Sequence, residues 1–151
     1  MIVEAKIIKT LFEDIFSIEE ARILANDLDN LQNLLYTNYS DVAKMIENDV
    51  NSSLRTKIKR LIDIDSKDIV NELSELIRIT KSIISDSKVF NLTVAIQPKG
   101  KLQRSVTQWL RQQTSKLVFV NFVFNPEIFG GVLIEFDGQF RDYSLTKLFN
   151  V

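Results

Sequence analysis

The chain has 151 residues, 45% hydrophobic and 26% charged, enough for one ordinary domain or two small ones around a buried core. It is close to neutral, with 19 lysines and arginines against 20 aspartates and glutamates. It has no cysteine and no histidine, which removes thiol nucleophiles, disulfides, Ser-His relays and Cys/His zinc sites. The opening residues 1–9 mix charge into their apolar positions, unlike a secretory signal. The longest apolar runs, such as Leu117-Val118-Phe119-Val120, fall far short of the roughly 20 residues of a membrane-crossing helix. A cytoplasmic protein is expected, and the lack of cysteine fits a reducing compartment.

From Val3 to about Lys88 apolar residues recur at helical spacing, with neither glycine nor proline. The first helix places Ala5, Ile8, Leu11, Phe12 and Ile15 on one side. The second opens on Ser17-Ile18-Glu19-Glu20, a capping box in which serine and glutamate satisfy each other's orphan amides. Its stripe runs from Ile18 through Leu24, Leu28 and Leu31 to Leu35. Asn38-Tyr39-Ser40-Asp41 ends it and caps a short helix carrying Val42, Met45 and Ile46. Asn51-Ser52-Ser53 precedes a fourth helix with Leu54, Ile58, Leu61 and Ile62, and Ser66 caps a fifth with Ile69, Leu73, Leu76, Ile77 and Ile83. Five amphipathic helices with short polar breaks predict a bundle.

Beyond Lys88 the period changes. Phe90, Leu92, Val94 and Ile96 alternate with polar residues in a strand ended by Pro98-Lys99-Gly100. Leu102, Val106, Trp109 and Leu110 stripe a helix, which predicts that Trp109 is core. Residues 117–124 are apolar on both sides and predict a central strand. Val132–Phe136 and Gln139–Asp142 flank Asp137-Gly138, a type I′ hairpin signal. Ser144 is expected to cap a short last helix over residues 145–149. The expectation is an α+β protein: an all-α bundle over residues 1–87, then a small α+β domain with a three- to four-stranded sheet over residues 88–151. Acids dominate the first part and basic residues outnumber them in the second, which suggests two modules with different partners.

Three stretches resemble one family, the delta subunit of F-type ATP synthases, called OSCP in mitochondria. Residues 125–144 resemble its closing pattern, here Pro126, Gly130, Gly131, an apolar strand, the turn at Asp137 and Gly138, and then Asp142 and Ser144. The strand ending at Pro98 with its following polar helix resembles the opening of the family's second domain. Lys9-Thr10-Leu11-Phe12-Glu13 resembles a Lys-Ala-Leu-Phe-Glu segment of its first helix. Typical members have six helices in the first domain, against five counted here. The E subunit of V- and A-type ATPases ends in a similar Gly-Gly strand and Asp-Gly turn. It carries a long uninterrupted stalk helix, however, and the breaks at Asn38 and Asn51 argue against one here.

The resemblance implies a peripheral-stalk (stator) subunit that is not an enzyme and uses no cofactor. Its helical part would grip N-terminal segments of alpha subunits, and its second part would hold the C-terminal helices of the b subunits. It would meet the membrane only through the complex. For the alpha contact the candidates are Leu11, Phe12 and Ile15, which serve equally well as ordinary core; for the b contact they are Leu145, Leu148 and Phe149. The alternatives are another two-module adaptor and a nucleic-acid-binding module using Arg104, Trp109, Arg111 and Lys116, which would need Trp109 exposed for stacking.

Other motifs support no chemistry. Gly130-Gly131 serves as an anion nest or, in the simpler reading, as a close backbone approach beside a buried strand. A phosphate loop at Gly100-Lys101 would need glycine at Ala95 and serine or threonine at Leu102. Asp63-Ile64-Asp65 begins like a calcium loop, but Lys67, Asp68 and Ser74 stand where a ligand, the turn glycine and the last glutamate belong. Arg55, Lys57, Lys59 and Arg60 are expected to form the solvated face of their helix. Paired acids such as Glu19-Glu20 sit on polar helix surfaces with no pocket for acid–base work.

Overall fold

A computed structural model describes residues 3–37, 41–128 and 130–142. The described residues fall into two compact units, one drawn from Met1–Ile15 and Arg22–Asp86, the other from Phe16–Ala21 and Ser87–Val151.

The first unit is helical, with α1 (Glu4–Leu11), α2 (Ile18–Thr37) from Arg22 onward, α3 (Val42–Asp49), α4 (Ser52–Leu61) and α5 (Ile69–Asp86). Helix α1 packs on α4 and α5. Leu11, Phe12, Leu28, Ile46, Ile58 and Leu76 are fully buried, so the apolar stripes do converge. The helix starts follow from side chains that satisfy orphan amides. Asp41 Oδ1 accepts from the Lys44 amide at 3.0 Å, and Asn51 Oδ1 from the Leu54 amide at 2.9 Å. Ser66 Oγ accepts from the Asp68 amide at 3.2 Å, in the turn just before α5.

The charge run on α4 departs from expectation. Lys57 is only 7% exposed, with its ammonium on the main-chain oxygen of Leu11 and the carboxylate of Asp14. The last carbonyls of a helix lack intrahelical partners, and a cation placed there supplies a donor and complements the helix dipole. Lys59 and Arg60 face water, Arg60 paired with Glu13 at 3.0 Å and Lys59 with Glu47, while Arg55 is half-buried and donates to the main-chain oxygen of Glu47.

The second unit is a four-stranded mixed sheet with a helix: β1 (Lys88–Val94), α6 (Gly100–Thr114), β2 (Val118–Phe124), β3 (Val132–Phe136) and β4 (Gln139–Asp142), in the order β2-β1-β3-β4. Strand β2 runs parallel to β1, as the intervening helix requires, while β3 and β4 are antiparallel additions. The whole chain is therefore α+β. Strand β1 is the central one, and β2 lies at the edge. The hairpin takes the second side of β1, which leaves β2 with one strand neighbour. Only the first half of β2 is buried. Its outer edge is met at Val120, whose amide donates to the Phe16 carbonyl at 3.1 Å.

On the α6 side of the sheet, Leu92 stands opposite both Phe122 and Ile134, and Phe90 opposite Val120. Phe90 also stacks on Phe136 with ring centroids 4.1 Å apart. Asp137 and Gly138 have φ of 49° and 74°, the paired left-handed values of a type I′ turn. Lys88 Nζ donates to Asp137 Oδ1 at 3.2 Å beside it.

Candidate interaction surfaces

Helix α6 does not bury its apolar stripe squarely. Its most buried positions are Thr107 and Leu110, and Thr107 can be there because its hydroxyl donates to the Gln103 carbonyl at 2.7 Å within the helix. That rotation brings Leu102, Val106 and Trp109 to the flank of the helix. Trp109 is 56% exposed, so the expectation of a core tryptophan is corrected. It edges an apolar groove of about 530 Å³ between α6 and the sheet, floored by Leu92, Phe122 and Ile134. Ile96 and Leu102 stand exposed on its rim. Gly130 and Gly131 also border it, with φ of 64° and 74° that L side chains adopt only under strain.

The turn before them is held by Asn125. Asn125 Oδ1 accepts from the Glu127 amide at 3.0 Å across Pro126, and the Asn125 amide donates to the Val94 carbonyl at 2.9 Å. Asp142 pairs in register with Leu133 at the end of β4. Ser144, Leu145, Leu148 and Phe149 lie outside the described residues.

Behind α6, Arg111 Nε donates to the Val118 carbonyl at 3.0 Å, and its guanidinium lies over the rings of Phe16 and Phe119 at 5.4 and 5.7 Å. Burial lowers its pKa to about 10, with Glu20 pulling the other way, so it remains charged at neutral pH. Arg104 covers the same Phe16 ring at 5.5 Å. Two basic residues of the candidate nucleic-acid patch are thus engaged with aromatic rings of their own unit, and Trp109, although exposed, borders grease rather than a positive channel.

The first unit has a second depression, of about 880 Å³, where Val3, just before α1, and Lys6 of α1 face the start of α5. Asp63, Asp68, Glu72 and Glu75 make it acidic, and Leu61 and Ile62 give it an apolar base. Arg78 hydrogen-bonds the Glu75 carboxylate at 2.7 Å and holds its pKa below the usual carboxylate value. Leu11 and Phe12 are not on this surface: both side chains are spent in the core, whereas Ile15 is half-buried. The acids around residues 63–75 were the available signal for this depression, but in sequence they resemble a capping loop.

No helix among the described residues is long and apolar enough to cross a membrane. The sequence model of the family ATP synthase delta (OSCP) subunit matches residues 38–150, from just before α3 to beyond the hairpin. No curated protein matches the chain at a significant level. Because that match covers well over half of its length, the chain belongs to the ATP synthase delta (OSCP) family, the non-catalytic peripheral-stalk subunits of F-type ATP synthases.

Proposed function

We propose that this chain is the connector at the head of the stator. Its helical unit grips N-terminal segments of alpha subunits, and its α+β unit holds the C-terminal helices of the b subunits. The load is mechanical: torque on the catalytic hexamer is resisted by apolar contacts, and no bond is made or broken. The complex would be cytoplasmic and membrane-bound only through its other subunits.

The observation that carries this is the groove beside Trp109, an apolar channel with Ile96 and Leu102 at its rim in a protein of this family. Amphipathic helices recognise such grooves through apolar residues three and four apart. Leu145, Leu148 and Phe149 complete the proposed b surface. On the helical unit, the acidic depression between α1 and α5 suits an apolar segment carrying basic residues. Leu11 and Phe12 act there by fixing α1 from behind, and half-buried Ile15 remains a candidate contact outside the depression.

A synthetic b C-terminal helix titrated against the whole chain should shift the emission of Trp109, the chain's single tryptophan, to the blue. Binding should weaken at least about tenfold, equivalent to 1.4 kcal/mol, in Ile96→Asp and Leu102→Asp. Unchanged affinity in both variants, with circular dichroism intact, would defeat the proposal. Salt separates the nucleic-acid alternative, because phosphate binding falls steeply with ionic strength and an apolar grip does not.

A further inference from the structure

We infer that the second unit pairs with a second copy of itself through the open half of the β2 edge, joining the two sheets about a twofold axis at Val123. In a parallel ladder the residues of an edge strand turn their amide and carbonyl alternately inward and outward. On β2 the Asn125 amide turns inward, to the Val94 carbonyl at 2.9 Å. On the outside, the Val118 carbonyl accepts from Arg111 Nε at 3.0 Å and the Val120 amide donates to the Phe16 carbonyl at 3.1 Å. By the same alternation Phe122 and Phe124 point outward, and no hydrogen bond meets them there among the described residues. Each of these two residues thus offers an amide and a carbonyl to a further strand, beside side chains of Val123 and Phe124 that are 44% and 45% exposed.

The open stretch is complementary to itself. Laid antiparallel, with Val123 opposite Val123 of the second copy, Phe122 meets Phe124 of that copy and Phe124 meets Phe122. Both are hydrogen-bonded pairs, and the bonds they exchange use every open group on the two edges. The aromatic pairs fall on the α6 side of the joined sheet and the valine pair on the reverse, where a non-hydrogen-bonded pair brings side chains closest. Residues 118–124 carry no charge, so no like charges meet along the seam.

Each end of the pairing is bounded, which makes it a closed dimer and not a growing sheet. The next outward position is Val120, already held by Phe16, and the residue it would face in the second copy is Pro126, which has no amide proton. The chain also turns away there, with the Ile128 amide donating to the Asn125 carbonyl at 3.4 Å. So short a seam falls well below the roughly 800 Å² per partner of a standard stable interface, so the dimer is weak and reversible. The inference uses neither the alpha nor the b contact and stands apart from both.

Sedimentation equilibrium of the full chain should show the mean mass rising with concentration from one chain towards two, and no further. Phe124→Pro removes an outward amide proton that the chain's own sheet does not use, and should leave a monomer with unchanged circular dichroism. Val123→Lys sets two cations face to face on the axis and should have the same effect by a different route. In a chain without native cysteine, Val123→Cys should oxidise to a disulfide-linked dimer, since residues of a non-hydrogen-bonded antiparallel pair have Cα atoms about 4.5 Å apart. Phe140→Cys, exposed on β4 at the other end of the strand order, should not. A constant monomer mass, growth beyond the dimer, undiminished dimers in folded Phe124→Pro or Val123→Lys, or equal oxidation of Val123→Cys and Phe140→Cys would each overturn the inference.

Discussion

Lys57 Nζ donates to the main-chain oxygen of Leu11 at 3.2 Å, a side chain of α4 closing the last turn of α1 from 46 residues away. Lys57→Met keeps the aliphatic stem but strands that carbonyl and leaves Asp14 without its cation. The expected loss is about 1–3 kcal/mol, measured by urea unfolding. Lys59→Met, in an exposed pair, should stay within about 0.5 kcal/mol. Equal losses at the two positions would show that Lys57 is no cap.

Trp109 and Phe119 make a matched pair for testing the second unit. Phe119 is completely buried, so Phe119→Ala should cost about 3–5 kcal/mol. Trp109→Ala should cost about 1 kcal/mol or less, since more than half of the ring already meets water. Thermal or chemical denaturation of the two variants reads the difference, and comparable losses would place the tryptophan in the core after all.

At the hairpin, a methyl group on Gly138 would touch nothing within 4 Å, so Gly138→Ala isolates the backbone cost of a φ of 74°. That cost should be about 1–2 kcal/mol in denaturant unfolding. A neutral result would mean that the turn relaxes to another type.

Glu75 should titrate below the usual carboxylate range in a carbon-detected NMR experiment, and Arg78→Gln should return it to normal. The sign follows from a folded pKa lower than the unfolded one. The stabilising contribution is present above the unfolded pKa and is lost as pH falls through the folded value. The pair is exposed, so the shift of the resonance, rather than a change of stability, is the readout.

Local chemistry was legible in the sequence where one short segment determines the outcome. Ser17 and Glu20 form the expected reciprocal cap, with the Glu20 amide donating to Ser17 Oγ at 3.1 Å and the Ser17 amide donating to Glu20 Oε1 at 3.2 Å. Asp137-Gly138 makes the expected turn, because its two left-handed residues leave few alternatives. What depends on distant neighbours was not legible. The apolar residues of β2 do not reveal that the hairpin takes the other side of β1. Thr107 hides its polarity in its own helix and so turns α6 away from the stripe its apolar residues suggest. Lys57 looks like its exposed neighbours Lys59 and Arg60 until the end of α1 arrives beside it. The groove belongs to the same class, since it needs α6, the sheet and the two glycines together.

The bond from the Val120 amide to the Phe16 carbonyl carries a cost for anyone wishing to cut this protein in two. A fragment begun at Ser87 keeps every strand but loses residues 16–21, and with them the plug on the rim of β2 and the ring beneath Arg111. An unguarded strand rim invites pairing with another molecule. Such a fragment should clump, and adding back the six missing residues as a peptide should keep it in solution.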